Sequence, residues 1–77
     1  MDMEQARLYE MWEFCESLQT RIFNLERTIQ IRLGKNLPSV EEKQDVMILR
    51  EQLKRARYRA EIMNKKLERG ASMYQIE

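Results

Sequence analysis

Gly34-Lys35-Asn36-Leu37-Pro38-Ser39 is the one stretch in which glycine and proline fall together between two long periodic segments. It reads as the bend of a helical hairpin. Gly34 follows Ile31-Arg32-Leu33 and, lacking a Cβ, is the expected left-handed residue closing helix one, with Arg32 and Lys35 favourably placed against the negative end of the helix dipole. Pro38 disfavours helical angles at Leu37. Ser39-Val40-Glu41-Glu42 then has the S-x-x-E pattern of a capping box, in which hydroxyl and carboxylate each satisfy an unpaired backbone N–H. Glu41, Glu42 and Asp45 add negative charge to the start of helix two. So short a connection makes the two helices antiparallel neighbours.

Working outward, the apolar residues keep one rhythm on each side of the bend. Leu8, Met11, Cys15, Leu18, Ile22, Leu25 and Ile29 follow at alternating steps of three and four, as do Val46, Leu49, Leu53, Ala56, Ala60, Met63 and Leu67. Only a helix with a heptad-like face buries such a seam continuously. Gly70 and Tyr74 occupy the next two seam positions, so helix two is expected to stop near Gly70. The expected division is residues 1–33 for helix one, with Asp2 as its N-cap, 34–38 for the bend, 39–70 for helix two and 71–77 for a C-terminal tail. Each helix is then about thirty residues, on the order of 45 Å long.

Folding the rod at its bend brings together residues whose numbers sum to roughly 72. In that register Ala56 and Ala60 fall opposite Met11, Trp12 and Cys15, small against large. The charges agree with an antiparallel pairing: Glu10, Glu13 and Glu16 lie toward the end of the rod that holds the basic residues of 54–69, and near the bend the signs reverse. Exposed ion pairs contribute only tenths of a kcal/mol each, so they select the alignment more than they stabilise it.

Seventy-seven residues with 14 basic and 13 acidic side chains describe neither a polybasic tail nor an acidic disordered segment. Two helices of this length cannot enclose a core alone, so another helix must cover what they leave exposed. The single cysteine rules out an internal disulfide framework. With no histidine, nothing resembles a zinc site or an acid–base pair, and the Glu10, Glu13 and Glu16 row reads as a solvated helix face. No enzyme, cofactor or metal is expected. Asp2 and Glu4 stand where a signal peptide would be basic, and no apolar run approaches the roughly 20 residues that span a bilayer. The expected setting is intracellular, cytoplasmic or nuclear, with no membrane partner.

Function must then come from what the seams leave over. Tyr9, Trp12, Phe14, Phe23, Ile48, Tyr58 and Ile62 flank the seams and are the candidate partner-binding residues, since aromatics recurring along a rod without a closed core suit a third or fourth helix. Lys54, Arg55, Arg57, Arg59, Lys65, Lys66 and Arg69 form the candidate nucleic-acid face, with Tyr58 among them to stack on a base. Against it stands the acidic quadrant opposite, which offers counter-charge and would repel phosphates. Ile29-Gln30, followed by Arg32, Gly34 and Lys35, is similar to a calmodulin-binding IQ pattern, but its basic residue and glycine come too early. Cys15 at a seam position reads as a small buried hydrophobe.

The sequence therefore predicts an all-α, antiparallel two-helix coiled-coil hairpin, completed as a helical bundle by self-association or by a partner helix. Its expected work is oligomerisation or docking within a larger assembly, without catalysis. The alternative is a helical-hairpin nucleic-acid binder using the basic face of helix two.

Overall fold

The computed structural model describes residues 3–76, and the side chains of residues 3–69. Two helices, α1 (Met3–Gly34) and α2 (Val40–Ile76), lie antiparallel in a rod whose principal extents are 64 × 19 × 15 Å. The fold is the expected all-α hairpin. All fourteen seam residues from Leu8 to Ile29 and from Val46 to Leu67 are buried or half-buried, because steps of three and four keep each row on the side facing the other helix. The centre of the core is Leu18, Ile22, Ile29, Val46 and Leu49, with Leu25, Leu53 and Ala56 packed against it.

The bend closes differently from expectation. Asn36, not Gly34, is the left-handed residue, at φ 56°, and no described glycine has a positive φ. Asn36 N–H donates to Leu33 O at 3.1 Å and Leu37 N–H to Arg32 O at 2.9 Å, the paired hydrogen bonds of a Schellman motif in which Asn36 is the first residue beyond the helix cap. Pro38 accounts for the choice. It holds Leu37 extended, so the chain must reverse at the residue just before Leu37, and asparagine tolerates the left-handed region better than most side chains. Gly34 is thereby left inside α1, with nothing within 4 Å of where a Cβ would sit.

Ser39 stands at the N-cap of α2 as expected, buried and with its carbonyl accepting the N–H of Lys43 at 3.0 Å. The carboxylate arm of the capping box is turned elsewhere. Glu42 Oε1 lies 3.1 Å from Arg32 Nη2, while Arg32 Nη1 donates to Pro38 O at 3.2 Å. One guanidinium thus holds both sides of the bend, a use of its fixed fork that a lysine could not copy.

Moving the turn from Gly34 to Asn36 also moves the register. Arg32 pairs with Glu42 and Arg50 with Glu26, residues whose numbers add to 74 and 76, and grooves between the helices are shared by Leu25 with Leu49 and by Met11 with Met63. α2 is therefore displaced by about two residues relative to the expected alignment. Ala60 comes level with Cys15 and Ala56 level with Leu18. Trp12, expected opposite the alanines, lies level with Ile62 and stays 37 % exposed.

At the other end, α2 runs through Gly70 to Ile76, where a stop near Gly70 and a tail over 71–77 were expected. A single glycine costs a helix only about 1 kcal/mol, and Ala71-Ser72-Met73-Tyr74-Gln75 contains no residue that forbids helical angles. Asp2, the expected N-cap of α1, and Glu77 lie outside the described residues, as does the side chain of Tyr74.

Candidate interaction surfaces

All seven candidate partner-binding residues are exposed, but they do not form one site. A coiled-coil hairpin is a two-helix layer, and the positions flanking each seam fall on one broad face or the other. Phe23 shares a groove with Glu26, Ile29 and Arg50. Residues seven or fourteen away from these stand on the same side of their helix, which places Tyr9, Trp12, Glu16 and Gln19 with Phe23 and Glu26 on α1, and Arg57 with Arg50 on α2. Met47, Lys54 and Glu61 lie beside them. We call this the aromatic face.

The opposite face is different in kind. Phe14 shares a groove there with Arg7, Met11 and Arg59, Ile62 one with Arg59 and Lys66, and Ile48 one with Arg21 and Asp45. Its apolar side chains are fewer and its charges mostly positive. Tyr58 belongs to neither face; it lies on the back of α2 among Lys54, Arg55, Arg57 and Arg59. The structure thus brings Tyr9, Trp12 and Phe23 together on one side, Phe14, Ile48 and Ile62 on the other, and leaves Tyr58 apart.

The candidate nucleic-acid residues are likewise distributed. Arg55, Arg59, Lys66 and Arg69 fall on the basic face, Lys54 and Arg57 on the aromatic face, and Lys65 with Tyr58 on the back of the helix, so the group wraps around α2. Arg55 pairs with Glu51 one turn earlier at 3.6 Å. The expected counter-charge from helix one is missing: Glu10, Glu13 and Glu16 make no ion pair with the basic residues of 54–69. These carboxylates stand one position too far from the seam to reach across. Glu13 instead acts on Tyr9 one turn before it: its carboxylate, with a smaller contribution from the charge of Glu16, holds the phenol pKa above its ordinary value. The pairs Arg32–Glu42 and Glu26–Arg50 join the two helices, both nearer the bend.

Four exposed apolar residues near the bend were missed from sequence. Ile31, Leu33, Leu37 and Val40 are all about half exposed or more, a rim around the turn. Their off-seam spacing was the available signal. Cys15 is buried and free, in keeping with its seam position. Among the described residues there is no group of three or more His, Cys, Asp or Glu side chains that could hold a metal ion, and no helix is long and apolar enough to cross a membrane. Comparison with protein families, with curated proteins and with solved structures gives no significant match.

Proposed function

We propose that this chain is a protein–protein interaction module whose work is oligomerisation or docking within a larger assembly, with no catalysis of its own. The observation that carries the reading is an excess of surface. A compact monomer of 9.4 kDa exposes ~5,000 Å² by the size scaling of folded proteins, whereas this rod exposes 6770 Å². Much of that surface is apolar side chain: Tyr9, Phe23, Met47 and Tyr58 are each more than half exposed. Two helices have only one shared seam, so each helix keeps two unburied flanks, and here these flanks carry large apolar side chains among their charges. A third or fourth helix covers them in a bundle.

Sedimentation velocity across a concentration series, with and without candidate partner proteins, tests this. Truncating Tyr9 or Phe23 to alanine is expected to abolish association while leaving the helix content by circular dichroism unchanged, since both side chains lie outside the seam. A chain that stays monomeric at every concentration, melts cooperatively alone and takes no partner contradicts the proposal.

A second reading, nucleic-acid binding through α2, is favoured by one observation: among the described residues, Lys54, Arg57, Arg59, Lys65, Lys66 and Arg69 have no ion-pair partner, so their charge is available to phosphates. It predicts that replacing Arg55, Arg59 and Lys66 with glutamine weakens binding to a duplex or single strand and flattens its salt dependence by about one counterion per lost contact. Tight binding lost in that variant, with association intact in the aromatic variants, makes this the better reading.

A further inference from the structure

We infer that the aromatic face seats a second copy of this chain, with α1 of each copy lying over α2 of the other and the two bends at the same end. The inference rests on the interaction-module reading and names the occupant of one of its two faces.

The argument begins with how charge divides between the faces. On the aromatic face α1 contributes only carboxylates, Glu16 and Glu26, while α2 contributes Lys43, Arg50, Lys54 and Arg57 over the same levels of the rod. An α1 laid over the α2 of another copy, in the register that the hairpin itself uses, sets Glu16 level with Arg57 and Glu26 level with Arg50. The Glu26–Arg50 pair within one copy already has this geometry, and both side chains remain substantially exposed, so a two-fold axis along the rod turns two pairs into a four-membered network. Glu61 and Glu68, further along α2, come level with Trp12, Tyr9 and Gln5, where α1 brings no carboxylate to this face.

The same operation on the opposite face fails. There it sets Arg7 level with Lys66 and Arg21 level with Arg55, like charge on like, and Glu10, which shares the groove with Arg7, offsets only part of that excess, so the pairing is disfavoured. The alternative two-fold on the aromatic face, perpendicular to the rod, stacks each helix on its own counterpart. It brings Lys54 and Arg57, which lie near the middle of α2, onto Lys54 and Arg57 of the other copy. Charge therefore selects both the face and the direction.

Size and chemistry fit as well. A standard interface buries ~800 Å² per partner, and the rod is 64 Å long and 19 Å across, enough to supply it from one face. The centre of that face is Trp12, Phe23 and Met47, a pair of large aromatics and an adaptable thioether, the composition that interface centres favour. Phe23 is 65 % exposed and Met47 71 %, so neither is needed to hold the hairpin together.

The test compares glutamate substitutions on the two faces, measured by sedimentation equilibrium. Phe23→Glu and Met47→Glu are each expected to weaken the dimer at least about thirtyfold, the loss typical of removing a central interface side chain, and Ile48→Glu on the basic face is expected to leave it unchanged. Unchanged helix content separates this from unfolding. Direction is read by disulfide trapping in a Cys15→Ala background: Gln19→Cys is expected to form a mixed disulfide with a Lys54→Cys chain and none with itself. If the wild-type chain neither dimerises nor takes any partner, the interaction-module reading fails with the inference. If it dimerises but Ile48→Glu breaks the dimer and Phe23→Glu does not, the reading stands and the inference falls. A Gln19→Cys homodisulfide overturns the direction in favour of the perpendicular two-fold.

Discussion

The half of the rod next to the bend and the half at its open end are built from the same seam pattern, yet only one of them is closed. Near the bend, large aliphatic side chains meet: Ile22, Ile29, Val46 and Leu49 are buried. Glu26–Arg50 and the Arg32 fork tie the helices across this half. Toward the open end the seam offers Ala56, Ala60, Met11 and Met63, and of the described side chains beyond Leu18 only Cys15 and Ala60 are fully covered. Two helices can seal a shared seam where both sides are bulky and the loop pins them. Where one side thins to alanine the seam has less side chain to bury, and this is where the further helix proposed above would add most to the core.

The contrast can be broken most directly at its closed end. Ile29→Ala removes a buried branched side chain from the core and is expected to cost about 2–5 kcal/mol, whereas Leu8→Ala, half-buried at the open end, should cost clearly less. Chemical denaturation of the two variants at equal protein concentration checks this; equal losses would mean that the open end is as well packed as the bend. Next in size is Ala60→Leu. Ala60 has no exposed surface and lies level with Cys15, so the added bulk is expected to overpack the seam and cost about 1–3 kcal/mol. An unchanged melting temperature would place Ala60 off the seam.

The smallest effect sharpens the account of the turn. Gly34 is helical with open space around it, so Gly34→Ala is expected to stabilise the chain by about 0.5–1 kcal/mol. Asn36→Val, forced toward a positive φ, should instead destabilise it. Thermal melts of the two variants must move in opposite directions if Asn36 is the reversing residue.

The three-four rhythm of Leu8 to Ile29 and of Val46 to Leu67 was enough to read the hairpin, because heptad burial is a local property that each helix expresses by itself. The turn was legible as a place but not as a geometry. Gly34 and Asn36 both tolerate left-handed angles, and choosing between them depends on how Pro38 constrains the residue before it, a preference that composition alone does not rank. That choice propagated: a turn two residues later slides α2 along α1, which moved Trp12 away from the alanines. The exposed aromatics were legible individually, since each lies off the seam. Their division between two faces lay in the same pattern, since Phe14 stands just before seam residue Cys15 and Phe23 just after seam residue Ile22, but what each face gains from α2 depends on how the helices pair. The acidic and basic quadrants were visible as composition. Whether Glu13 reaches a cation or its neighbour Tyr9 is decided at the scale of one helical position, below what a count of charges resolves.

Cys15 has a consequence of its own. It is the only thiol in the chain and is 2 % exposed, level with an alanine in the half of the rod that the two helices close least well. A thiol reagent cannot reach it until the open end separates, so its labelling rate is a clock for that separation, built into the native chain and needing no added probe. Whatever docks on the flanks and holds the open end shut slows the clock, and a partner that binds only the bend leaves it running.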